Sequence, residues 1–207
     1  MVINLIRKDL VALRMYFLFI LGYALFFGVA TVTPYSPLLI GVLPAIMMTL
    51  FVSSVELRNK SLLFIGSLPV KRQQIVLAKY AAVFVYLAIG FALAGAVRVI
   101  NETILGQSFP LTAVHLVLAA GVAMAYTALY YPIQFRLGAR NSTLVSFLVV
   151  FLTMAIVGGL GSTFGKPGLV LPDYSQWLWG IPLAGLILMV VSYGISLRIF
   201  GARDIEG

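Results

Sequence analysis

Hydrophobic positions run through this chain in long unbroken stretches, and the polar positions gather between them. Six stretches approach the ~20 apolar residues that a helix needs to cross a bilayer. They cover residues 15–33, 38–55, 80–100, 111–135, 142–161 and 178–199. The pattern predicts an all-α membrane protein with six transmembrane helices in one domain over 1–207. The prolines of TPYSP, residues 33–37, interrupt helical hydrogen bonding and predict a tight turn between the first two spans. Ahead of the first span, Val2, Leu5, Ile6, Leu10 and Leu13 recur at helical spacing, opposite Asn4, Arg7, Lys8 and Arg14. That periodicity predicts an amphipathic helix over 1–14 lying in the membrane interface. Straight continuation into the first span is the alternative.

Composition strengthens the membrane reading. The chain is 62% hydrophobic and 10% charged, against about 25% charged in soluble domains. So few charges cannot cover a globular surface. There are no cysteines, which excludes disulfides, thiolate metal sites and a cysteine nucleophile. The net charge of +8 is read as topology rather than as nucleic-acid binding. With the N-terminus inside, 12 of the 14 basic residues fall on cytoplasmic segments and only Arg98 and Lys166 fall outside. Both termini are thus expected in the cytoplasm. The apolar run Met15–Val32 has 18 residues, longer than the ~7–15 of a secretory signal, so an uncleaved helix is expected.

Charged and catalytic residue types are scarce. His115 stands alone, which points to a packed or hydrogen-bonding histidine rather than a metal ligand. The six acids, Asp9, Glu56, Glu102, Asp173, Asp204 and Glu206, are all expected in loops or at span ends. Ion-coupled carriers place carboxylates inside the membrane, so this chain lacks an evident energy source of its own. Arg98 and Glu102 are four apart and positioned to pair on one helix face. GSTFGKP at 161–167 imitates a phosphate-binding loop but has Leu160 and Pro167 where Gly and Ser or Thr are needed. The halves of the chain show no repeat of the kind that inverted-repeat carriers carry. The outer stretch 162–177 is either a re-entrant segment or a plain loop, with Tyr174, Trp177 and Trp179 at the outer interface.

One stretch looks suited to water, SSVELRNKSLLFIGSLPVKRQQIVLAKY at 53–80. Glu56 and Arg58 close the second span. Lys60 to Leu68 then form a short helix candidate stopped by Gly66 and Pro69, and Pro69 opens the helix that becomes the third span. The Leu62-Leu63-Phe64-Ile65 patch, flanked by basic residues, is either a docking surface or an amphipathic turn lying on lipid.

Glu56, Leu68-Pro69, Arg72 and Lys79-Tyr80 resemble the pattern E…(S/T)-L-P-V-x-R-x-x-I-x-x-A-K-Y of type-2 ATP-binding-cassette export permeases. The chain resembles especially the small bacterial six-span subfamily linked to export of bacteriocins, peptide toxins and drugs. Val70 departs from that pattern, where many relatives have a Ser that caps the following helix. The resemblance implies that Lys60, Ser61, Leu62, Leu63, Phe64, Ile65, Ser67 and Leu68 form a coupling helix seated in an ATPase subunit. It implies bracing by Glu56, Arg58, Pro69, Arg72 and Lys79, and a further contact through Arg7 and Lys8 of the N-terminal helix. It implies two ATPase copies, carrying ATP and Mg, and a second copy of this chain as a homodimer. The chain itself is then neither an enzyme nor a holder of cofactor. The few charges in the spans favour an amphipathic cargo, a peptide, toxin or drug. Tyr16, Tyr23, Tyr86, Tyr126, Tyr130 and Tyr131 are candidates to line its path, interface anchoring and packing being the other reading. Gly90/Ala94, Gly121/Ala125 and Gly180/Ala184 offer close helix contacts, inside one chain or between two. A membrane anchor for a soluble partner and a stand-alone secondary carrier remain the competing functions.

Overall fold

Apolar helices of this length leave no backbone group unpaired in lipid, and helices are what the chain forms. The computed structural model describes residues 2–30, 36–58, 71–137, 151, 155 and 179–202. In chain order these hold α1 (Val2–Ala12), α2 (Phe17–Leu25) running on as a π-helical turn (Phe26–Ala30), α3 (Ser36–Arg58), α4 (Arg72–Thr103), α5 (Ala113–Leu137) and α6 (Gly180–Ala202). No strand occurs among the described residues. The helices α3 to α6 are each long and apolar enough to cross a membrane, and a fifth crossing arises if α1 and α2 count as one bent span. The spans expected at 38–55, 111–135 and 178–199 match α3, α5 and α6 within a few residues. The span expected at 80–100 is part of a longer helix, because no Gly or Pro interrupts the chain between Arg72 and Lys79. Of the span expected at 142–161, only Phe151 and Ala155 are described, and both are helical. The short helix expected over Lys60–Leu68, Pro69, most of the TPYSP turn and the stretch 162–177 lie outside the described residues.

The N-terminal region departs most from the expected 15–33 span. The axes of α1 and α2 differ by 68°. At the elbow, Arg14 N bonds Val11 O at 3.2 Å and Tyr16 N bonds Leu13 O at 2.8 Å. Those three-residue spacings tighten the ladder and turn the chain. No Gly or Pro marks the place. Buried Leu13 and Ile20 pin the two sides into the core. The helix beyond the elbow has nine α residues and five π residues, about 21 Å at ~1.5 Å per residue, short of the ~30 Å hydrocarbon layer.

Close helix approach explains several glycines. A Cβ on Gly90 of α4 would stand 2.6 Å from the Gly41 carbonyl oxygen of α3. One on Gly121 of α5 would stand 2.5 Å from Ile181 Cγ2 of α6. Two of the three expected small-residue pairs thus serve packing inside one chain, as close crossings do in membranes, whereas Gly180 meets nothing within 4 Å. One main core joins α1 through α6, and a smaller cluster of Ala24, Ile40, Ala94, Val97 and Phe109 closes the opposite end. There Asn101 donates to the Gly28 carbonyl at 2.7 Å, satisfying a backbone acceptor in the π turn.

Candidate functional site

Four charged side chains meet where α1 crosses the end of α3 and the start of α4. Glu56 projects from the last turns of α3, Lys79 from the second turn of α4, and Lys8 and Asp9 from the middle of α1. Glu56 Oε1 accepts from both ammonium groups, at 2.7 Å from Lys8 Nζ and 2.7 Å from Lys79 Nζ. Asp9 Oδ2 lies 3.0 Å from Lys79 Nζ. Asp9 Oδ1 lies 3.1 Å from Lys8 Nζ, an ion contact without hydrogen-bond alignment. Asp9, Glu56 and Lys79 are 1%, 4% and 6% exposed, and only Lys8 reaches solvent appreciably.

Two cations and two anions cancel, which is why such a cluster survives burial. An ion taken from water costs several kcal/mol, repaid only when partners and hydrogen bonds surround it. The arrangement therefore fixes position rather than supplying stability for its own sake. It holds α1 against both helices that flank the stretch 59–70. No group of acids and histidines suited to a metal ion occurs among the described residues.

The sequence-derived site residues fall into three groups. Glu56, Lys79 and Lys8 come together as described. Arg7 and Arg58 are exposed at helix surfaces. Arg72 reaches across to the C-terminal end of α6, where Nη1 donates to the Gly201 carbonyl at 2.9 Å, a favourable place for a cation at a helix C-terminus. Residues 60–69 lie outside the described residues. Asp9 was missed: counted as a flanking acid, it is buried. The signal was its place on the helix, four residues from both Leu5 and Leu13, in the middle of the apolar face.

The candidate path tyrosines are mostly core rings. Tyr86, Tyr130 and Tyr131 are 1%, 1% and 2% exposed, and Tyr126 is 3% exposed. Tyr126 stacks on Tyr130 at 5.4 Å between centroids, and Tyr131 continues the row to Phe135 at 5.9 Å. Tyr16 and Tyr23 are half-buried on the short helix, with Tyr16 stacked on Phe51 at 4.5 Å. A polar knot ties α4 to α6. The Tyr80 hydroxyl lies 2.6 Å from Ser192 Oγ and 2.8 Å from Ser196 Oγ. Ser192 Oγ in turn donates to Ala128 O of α5 at 2.6 Å. Arg98 Nε meets Glu102 Oε1 at 2.8 Å, the expected pair, and His115 Nδ1 lies 2.7 Å from Thr112 Oγ1.

The family model of the ABC-2 family transporter proteins matches residues 4–201, nearly the whole chain. No curated protein and no solved structure matches it.

Proposed function

The chain belongs to the ABC-2 transporter family, whose members are non-catalytic membrane permeases generally paired with an ATP-binding-cassette ATPase, and from that premise we propose that it is the permease subunit of an ATP-driven exporter. Two copies form the pathway, and two ATPase subunits bind ATP and Mg on the cytoplasmic side. The stretch Lys60–Leu68 seats in the ATPase, and both termini lie in the cytoplasm of a bacterial cell. The cargo is amphipathic, a peptide, toxin or drug, since few charges are available to hold a polar one. The helix α1 lies at the interface.

The observation that carries this reading is the four-charge cluster. Glu56 stands three residues before the stretch 59–70 and Lys79 nine residues after it, in the second turn of α4, and both have partners on α1. A push on that stretch therefore reaches α3, α4 and α1 as one unit. A buried charge group resists separation, so it transmits displacement instead of absorbing it.

The test is purification of the tagged chain from its native membrane. A stoichiometric nucleotide-binding subunit should accompany it, and Leu63→Asp with Phe64→Asp should release that subunit while membrane insertion persists. Isolation of the chain alone from gentle detergent, or unchanged partner binding in the double variant, would overturn the assignment. A stoichiometric partner without ATPase activity would favour the anchor instead.

A further inference from the structure

A groove of about 280 Å³ opens at the elbow between α1 and α2. Its walls are Leu10 of α1, Leu13 of the elbow, Phe17 of α2, Met48 of α3 and Ile89 of α4, and its one charged lining residue is Arg14. Apart from Arg14, the lining side chains are hydrocarbon or thioether and suit an acyl chain.

Charge argues for the head of the same ligand. The described carboxylates are Asp9, Glu56 and Glu102. The first two are held by Lys8 and Lys79, and the third by Arg98. Arg14 is exposed and has no carboxylate partner among the described residues. An exposed guanidinium beside an apolar groove is complementary to an anionic headgroup. Depth argues the same way. Met48 lies eight residues along α3 from Glu56, about 12 Å at ~1.5 Å per residue, so the groove lies deeper along the bundle than the charge cluster. A guanidinium on a flexible stem at that level reaches back towards the headgroups.

We propose that the elbow groove binds an anionic phospholipid, its acyl chain against Leu10, Phe17 and Ile89 and its phosphate on Arg14. A bound lipid would wedge the 68° elbow from the membrane side, opposite the charge cluster that holds α1 from within. The site depends on the chain being a membrane protein and not on which ATPase or cargo it serves.

The test uses the full chain with Phe17→Trp as reporter and Trp177→Phe and Trp179→Phe to clear the background. It is placed in phosphatidylcholine nanodiscs carrying a minor share of brominated-chain phosphatidylglycerol or, in a second arm, brominated-chain phosphatidylcholine. Brominated phosphatidylglycerol should quench the reporter with about fivefold higher apparent affinity, the ratio set by the ~1 kcal/mol that one basic residue contributes towards anionic lipid. Arg14→Gln should bring the two lipids level, and Arg14→Lys should restore the preference. Ile89→Phe, which fills the groove, should lower phosphatidylglycerol quenching to the phosphatidylcholine level with Arg14 intact. Equal quenching by both lipids in the unaltered groove, or a preference that survives Arg14→Gln, would refute the site. Because none of these readouts involves ATP, a failed lipid site leaves the exporter reading untouched, and the converse holds.

Discussion

Replacing Glu56 with glutamine is the sharpest probe of the charge cluster. The side chain keeps its shape and loses its charge. Glu56 Oε1 faces two ammonium groups, each at 2.7 Å. Without it the cluster carries two cations and one anion, and the Lys79 side chain, 8% exposed, keeps only Asp9 at 3.0 Å. Breaking a buried pair costs about 3–5 kcal/mol. The surviving Asp9 contact sets the expectation at the low end, about 3 kcal/mol, or roughly a hundredfold in the folded ratio at ~1.4 kcal/mol per tenfold. The assay is a double-mutant cycle on unfolding in mixed micelles, with Lys79→Met as the second change. Glu56→Gln with Lys79→Met leaves Lys8 and Asp9, one charge of each sign. The double variant should recover at least half of the loss seen in Glu56→Gln alone. A loss below about 0.5 kcal/mol in the single variant, typical of a surface pair, or simple additivity of the two changes, would show that the cluster does not act as a closed neutral unit.

Other outcomes follow from the same geometry. Asp9→Asn should cost about 2–3 kcal/mol by the same charge count, whereas Lys8→Met, whose side chain is 37% exposed, should cost about 1 kcal/mol or less; unfolding in the same micelles ranks the two. Gly90→Ala should lower stability by about 1–3 kcal/mol, since its Cβ would stand 2.6 Å from the Gly41 oxygen. Gly95→Ala on the same helix meets nothing within 4 Å and should be neutral or stabilising by up to ~1 kcal/mol, so a melting comparison of the pair isolates the helix contact. Tyr80→Phe removes the hydroxyl shared with Ser192 and Ser196 and should cost about 1 kcal/mol, read as faster amide exchange in α6 near Ser192.

The length of each apolar run settled most of the helices from the chain alone, because in lipid a backbone must satisfy its own hydrogen bonds and a span must match the bilayer. The resemblance carried by the stretch 53–80 implied bracing roles for Glu56 and Lys79 without naming their partners, and i, i+4 spacing gave Arg98 and Glu102. Periodicity showed α1 as a helix but misjudged Asp9, since a lone acid on an apolar face reads as a flank until its partners are known. Those partners, Lys8, Glu56 and Lys79, come from three helices and meet only when the helices cross. The elbow at residues 13–16 was likewise invisible in composition, for no breaker residue marks it and packing of Leu13 and Ile20 decides the angle. The tyrosines make the same point: a ring in an apolar run looks the same whether it lines a path or fills a core, and tertiary packing buried Tyr86, Tyr130 and Tyr131. Sequence alone determined that the described apolar runs are helical and that lipid is their solvent, because both depend on local pattern and transfer free energy. Which charges neutralise one another, where α1 turns and which faces close on each other were decided by the tertiary structure, because each depends on distances between residues far apart in the chain.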